Sequence, residues 1–254
     1  MKLFIMVCTV SIAAIALSFT YHNFSDKNFR ANENSSSGFA VIELFTSEGC
    51  SSCPPADNAV ANLLTEYKRN VYILGYHVDY WNRLGWKDIY SDAAYSSRQT
   101  KYSEIFKMSS VYTPQIVVNG KEQFVGSDEV KLHNSIDREL KEMPTENLGI
   151  SSESKDDKTV EVNYKTDNVS DNLNIALIQS HAQSNVQRGE NSGATLHHVN
   201  VVRELKTINL KLNQEGSTTL NLPQGLSAKD CSVIAFIQNE NNGKIIAAAK
   251  TNIE

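Results

Sequence analysis

A chain of 254 residues with a formal net charge of −5 has room for one or two domains. Its 24 Lys and Arg are outnumbered by 29 Asp and Glu, and nothing is strongly basic, which argues against nucleic acid as a partner. There is no internal repeat, no phosphate-binding glycine loop and no G-x-S-x-G elbow.

Lys2 precedes an apolar run over residues 3–19 that reads as a secretory signal, with Ala16-Leu17-Ser18 the best cleavage candidate. The run is long for a signal, so an uncleaved N-terminal membrane anchor is the alternative. Cys8 lies early in the run rather than after it, which argues against a lipid-anchor cysteine. Residues 1–20 are thus a signal or anchor, and 21–37, rich in Asn and Ser, a linker. Either way the expected location is periplasmic or secreted, where disulfides persist.

An apolar run over 39–45 then ends in a polar turn, and Cys50 and Cys53 follow at C-x-x-C spacing. Behind them Ala56, Val60, Leu63, Leu64 and Tyr67 fall on one helical face. Pro54 and Pro55 suit a helix's first turn, where a missing N–H is harmless. The sulfurs therefore sit where a strand hands over to a helix N-terminus, and the free N–H groups and dipole there favour a thiolate. A β-branched and aromatic strand over 71–78 completes a βαβ unit. Ligands gather at the carboxyl ends of such strands, where both Cys50 and His77-Val78-Asp79-Tyr80-Trp81 fall. A loop over 82–90 leads to a helix capped by Ser91 or Asp92 and running to about 107, with Tyr95, Gln99, Tyr102, Ile105 and Phe106 on one face. This insertion reads equally as a wall over the cysteines or as ordinary packing. Thr113-Pro114 opens a strand over 115–118, Asn119-Gly120 signals a hairpin, and 121–125 returns. Ser127 or Asp128 starts a last helix, with Leu132, Ile136, Leu140 and Met143 inward, and Pro144 stops it. The order is β-α-β-(α)-β-β-α.

Strand, C-x-x-C, helix and a later Thr-Pro before a strand resemble the thioredoxin superfamily. The longer pattern is narrower. Phe45-Thr46-Ser47-Glu48-Gly49-Cys50-Ser51-Ser52-Cys53-Pro54-Pro55-Ala56-Asp57, then His77-Val78-Asp79-Tyr80-Trp81, then Tyr112-Thr113-Pro114-Gln115 resemble a secreted family known as domain of unknown function 1223. The resemblance covers about residues 38–250 and bears on fold and chemistry more than on biological role. It implies a cis Thr113–Pro114 bond facing the cysteines, with the Thr113 backbone open to an extended peptide. Thioredoxin-like oxidoreductases also place a buried acid in the strand before the pair. Glu43, the one charge in its apolar run, lies one residue further from the cysteines than that acid.

From about 147 the texture changes to short alternating strands, over 159–165, 173–179, 198–212, 218–222, 231–238 and 244–249. The expected fold class is therefore an α/β thioredoxin-like domain over 38–145 with a helical insertion, followed by a small all-β sandwich over 146–254. The polar loop Arg188-Gly189-Glu190-Asn191-Ser192-Gly193 either docks a partner or simply feeds the next strand. Cys231 opens an apolar run and reads as a buried, inert thiol.

Cys50 and Cys53 are the remaining pair, and the leading reading is an extracytoplasmic thiol–disulfide oxidoreductase acting on protein or peptide thiols and disulfides, without a cofactor. Cys50 is the expected exposed, attacking sulfur and Cys53 the buried, resolving one. Glu43 is the candidate proton acceptor and Pro114 the cis proline at the site. Thr113, His77, Asp79 and Trp81 are the candidate substrate-binding residues. The alternatives are a secreted binding protein stapled by a structural disulfide, and a Cu(I)-handling protein using Cys50, Cys53 and His77. A zinc site lacks a second pair of ligands, and adjacent His197 and His198 point to opposite faces of a strand. Nothing signals an oligomer.

Overall fold

The computed structural model describes residues 38–254 and the backbone of a short strand, β1 (Arg30–Ala31). Apart from that strand, the expected signal or anchor and the linker lie outside the described residues. The chain continues as β2 (Ala40–Thr46), α1 (Pro54–Glu66), β3 (Val71–His77), α2 (Ala93–Ile105), β4 (Gln115–Val118), β5 (Glu122–Val125) and α3 (Glu129–Glu139). Then come β6 (Leu148–Ser154), β7 (Thr159–Thr166), β8 (Asn172–Asn185), β9 (Thr195–Asn209), β10 (Glu215–Asn221), β11 (Cys231–Gln238) and β12 (Ile245–Asn252).

Local chemistry fixes the element ends. Asp92 caps α2 by accepting from the Ala94 N–H, and Asp128 caps α3 by accepting from the Lys131 N–H. Pro54 occupies the first position of α1. Asn119 (φ 46°) and Gly120 (φ 61°) are both left-handed, as a two-residue hairpin turn requires. Gly120 also has no room for a side chain, because a Cβ there would meet the Gly243 carbonyl oxygen at 1.8 Å.

Strand β2 is buried on both faces, and its alternation sorts the layers. Ala40, Ile42 and Leu44 pack against Val60 and Leu63 of α1 and Leu132 and Ile136 of α3. Val41 and Phe45 pack on the opposite side with Tyr95 and Tyr102 of α2, in a core that runs on to Ile178, Val202 and Phe236. A further core joins Ile175, Leu177, Val233 and Ala235 to Ile150, Val162 and Leu220.

The expected pairing of a thioredoxin-like α/β domain with a separate β sandwich is overturned. The described chain is mostly β, with three α-helices, and an eight-stranded mixed sheet of order β12-β11-β8-β9-β3-β2-β4-β5 draws strands from both halves. A four-stranded sheet, β1-β6-β7-β10, covers part of it. The reason is the open edge of β3. Its unpaired N–H and C=O groups need a neighbour, and β9 supplies one at the bridge Gly75–Val201. Strands β8 and β11 bury both faces, so they require cover on two sides, from α2 on one and the small sheet on the other. Periodicity reports that strands exist but not whose edge they join. Among the described residues no helix is long and apolar enough to cross a membrane.

Candidate functional site

Cys50 and Cys53 form a disulfide across the turn between β2 and α1. Cys53 has helical dihedrals, and its carbonyl accepts from the Ala56 and Asp57 N–H groups, so its sulfur sits at the positive end of α1. The Thr113–Pro114 bond is cis. The Pro114 carbonyl accepts from the Gly126 N–H, and Gly126 packs so closely on Pro114 and Ala56 that a Cβ there would lie 2.9 Å from the Ala56 Cβ. This places Pro114 beside the first turn of α1. Thr113 Oγ1 accepts from Trp81 Nε1 at 2.8 Å, and a Cβ on Gly49 would approach the Trp81 Cβ to 3.1 Å. Trp81, Thr113 and Pro114 therefore stand together around the cysteine turn.

Both sulfurs are buried, with 0% exposure for Cys50 as well as Cys53, which corrects the expectation of an exposed Cys50. The loop between β8 and β9 is bonded to this turn. Asn191 Nδ2 donates to the carbonyls of Glu48 (2.9 Å) and Cys50 (3.0 Å). Glu190 Oε2 accepts from the Ser51 N–H (3.0 Å) and Ser51 Oγ (2.7 Å). Gly189 (φ 78°) and Gly193 (φ 85°) flank these two residues, and Gly189 rests on Trp86. The polar loop over 188–193 thus clasps the disulfide turn. Sequence alone left its role open, because its partner lies about 140 residues upstream.

Glu43 and Asp79 also sit elsewhere than expected. Glu43 points to the α2 side of the sheet, opposite α1. Arg98 and Tyr102 bind its carboxylate, and Gln238 accepts from the same guanidinium at 3.0 Å. It is a buried structural ion pair rather than a group beside the cysteines. Asp79 accepts from Ser96 Oγ (2.5 Å), and its N–H donates back to the same oxygen (3.0 Å), which ties it to the first turn of α2 instead of leaving it free for substrate.

A cluster of ionisable side chains does lie behind the disulfide. His77 Nδ1 meets Asp88 Oδ2 at 2.7 Å, and Asp88 also accepts from the Glu48 and Tyr90 N–H groups. Burial alone lowers the His77 pKa, but the Asp88 charge and hydrogen bond, helped by Asp57 and Glu48, raise it above its ordinary 6.5. Burial raises the Asp88 pKa, while His77 and the two backbone donors pull it below its ordinary 3.8. Glu48 Oε2 accepts from Trp86 Nε1 at 2.6 Å. His198, from β9, brings Nδ1 to 3.4 Å from Asp57 Oδ1 and Nε2 to 4.0 Å from Glu48 Oε1. The rings of His77 and His198 meet edge-to-face with centroids 4.6 Å apart. Of this cluster, only His77 was a sequence candidate. Asp57 offered a signal in its spacing, four residues after Cys53 and so on the same helical face.

The His77–Asp88 pair makes stability depend on pH. A raised His pKa adds stability that is complete below 6.5 and is lost as pH climbs through the folded value. A lowered Asp pKa adds stability that is complete above 3.8 and is lost as pH falls through the folded value. The pair's contribution should be complete between those values and decline on the alkaline side. Asp88→Asn should remove that decline, which melting curves from pH 5 to pH 9 will show; a wild-type slope in the variant would refute the pairing.

A match to the family model "Protein of unknown function (DUF1223)" spans residues 41–238. The chain belongs to the DUF1223 family. No curated protein matches it. Among solved structures, a protein from Agrobacterium tumefaciens shares 27% identity at a TM-score of 0.64, covering 83% of this chain and 92% of that one. HBP35 of Porphyromonas gingivalis shares 18% identity at a TM-score of 0.56, covering 85% of this chain and 76% of its own, a likeness of fold alone. The family match includes the disulfide, the cis proline and the clasp loop. Cys231 lies within it too, as a buried free thiol whose pKa burial pushes up to about 11, which makes it a poor nucleophile. Among the described residues no three His, Cys, Asp or Glu side chains are placed to hold a metal ion.

Proposed function

We propose that this DUF1223 protein is an extracytoplasmic thiol–disulfide redox protein acting on protein or peptide substrates. The observation that carries the reading is the Cys50–Cys53 disulfide closed at the N-terminus of α1. A thiolate formed there is stabilised by the free N–H groups and the helix dipole. A substrate thiolate attacks Cys50 Sγ, the Cys50–Cys53 bond breaks, and Cys53 leaves as thiolate. A second substrate thiolate then attacks the mixed disulfide, so the substrate is oxidised and the protein's cysteines are reduced. The reverse sequence reduces a substrate disulfide. Trp81, Thr113 and Pro114 frame the approach to Cys50. The N-terminal apolar run supports a location outside the cytoplasm, where such a pair can cycle.

A second reading has its own support. Both cysteines are buried, and Asn191 and Glu190 tie down the turn that carries them, as befits a permanent staple. The reduction potential separates the two. A redox pair should lie above about −300 mV and turn over an insulin or dithiol-dye substrate, whereas a staple lies below it and does not. Cys53→Ser should accumulate mixed disulfides with added substrate and Cys50→Ser should not; equal trapping by both would refute Cys50 as the attacked sulfur.

A further inference from the structure

Among the described residues, three buried side-chain atoms in this cluster have no hydrogen-bond partner in the protein: Glu48 Oε1, His77 Nε2 and His198 Nε2. A buried polar atom left without any partner costs about 1–3 kcal/mol, and three gathered in one cluster of carboxylate and imidazole groups are placed to exchange a proton. The cluster is assembled from distant parts of the chain. Asp57 Oδ2 accepts from Thr46 Oγ1 at 3.0 Å, leaving Oδ1 turned to His198. His198 is only 4% exposed and Glu48 0%, so this ring and carboxylate are held apart from solvent. The other groups facing His198 are His77, with Asp88 behind it, and Tyr90, with the Arg203 guanidinium 5.1 Å from its ring.

We infer that Asp57 takes the proton of Cys53 during thiol–disulfide exchange, and that His198, held between Asp57 and Glu48, is the residue that positions Asp57 and shares that proton. The inference rests on the redox reading above. Asp57 is one helical turn from Cys53, on the same face of α1. In the mixed disulfide, Cys53 Sγ–H gives its proton to the Asp57 carboxylate and its sulfur attacks Cys50 Sγ. The Cys50–Cys53 bond forms, the bond from Cys50 to the substrate sulfur breaks, and the electron pair leaves with that sulfur. The protein's dithiol is oxidised and the substrate disulfide reduced. His198 Nδ1 then accepts a share of the proton from Asp57, and the nearby Glu48 carboxylate balances the charge of the ring at Nε2. In the oxidising direction the same proton returns to Cys53. The cluster thus ties the half of the chain after residue 146 to the chemistry at Cys53, through one strand, β9.

His198→Gln, made in the full chain, tests this. Two stopped-flow rates are read from pH 6 to pH 10: formation of the mixed disulfide in a Cys53→Ser background, and its resolution with Cys53 present. His198→Gln should slow resolution by about tenfold near neutral pH, in the lower part of the range for general acid–base groups, and leave formation unchanged. The slowing should fade at high pH, where the thiol ionises unaided. Asp57→Asn should give a larger slowing with the same pH profile, and Glu48→Gln, which retains an acceptor for Trp86, a smaller one. Wild-type resolution rates and pH profile in His198→Gln and Asp57→Asn would overturn the inference while leaving the redox reading intact. Lowered melting temperatures with an unchanged profile would make both residues structural and overturn it equally. Absence of turnover in the wild-type protein would overturn the redox reading and the inference with it.

Discussion

Arg98→Met is expected to destabilise the protein by about 3–5 kcal/mol, because it strands a buried carboxylate. Glu43 is 0% exposed and lies in the middle of a strand buried on both faces. Its charge is matched by Arg98, by the Tyr102 hydroxyl and by little else. The guanidinium also stands over the rings of Tyr76, Tyr102 and Phe236 at 5.2–5.5 Å, so Met keeps part of the packing while losing the charge. For a chain of this size the loss corresponds to a fall in Tm of about 6–20 °C. The double change Glu43→Met with Arg98→Met should recover most of it, since an apolar pair of similar volume often matches a buried ion pair. Calorimetry of the two variants decides the point: equal melting of single and double variants would show that the carboxylate was never the liability. Glu43→Gln should also leave the rates of cysteine exchange unchanged, because the side chain lies across the sheet from α1.

Asn191→Ala should raise the alkylation rate of reduced Cys50 by about tenfold. Asn191 contributes two neutral hydrogen bonds to the cysteine turn, each worth about 0.5–1.5 kcal/mol, and about 1.4 kcal/mol shifts an opening equilibrium tenfold. Glycines with positive φ on either side form the loop's bends without strain. Adding Glu190→Gln should increase the rate further, because its carboxylate holds the Ser51 N–H and hydroxyl. Iodoacetamide labelling followed by mass spectrometry reads the result at each cysteine separately. If the labelling rate of Cys50 stays at the wild-type value in the double variant, the loop is not what shields the sulfur. In that event access must open elsewhere, as by movement of Trp81. The same variants bear on the choice between staple and redox centre, since a staple gains nothing from an open loop.

Much of this was legible in the chain itself. C-x-x-C between an apolar run and Pro54-Pro55 specified a disulfide at a helix start, because proline tolerates only the first turn and apolar spacing fixes the helix face. Asn119-Gly120 specified its hairpin, since both positions need positive φ. Ser91-Asp92 and Ser127-Asp128 marked the helix starts, and of each pair the Asp makes the capping bond. Each of these is decided within a few residues. What lay beyond the sequence depended on contacts between distant segments. The Glu43 carboxylate found its partner 55 residues on, and that pairing moved it from the chemistry to the scaffold. The edge of β3 was closed by β9, which merged the two expected domains into one sheet. Asp57 and His198, 141 residues apart, met only because that closure carried His198 to the back of α1. Local propensity and period set where elements begin and which face they bury. Which buried charge meets which, and which strand completes which edge, is settled by packing the whole chain at once.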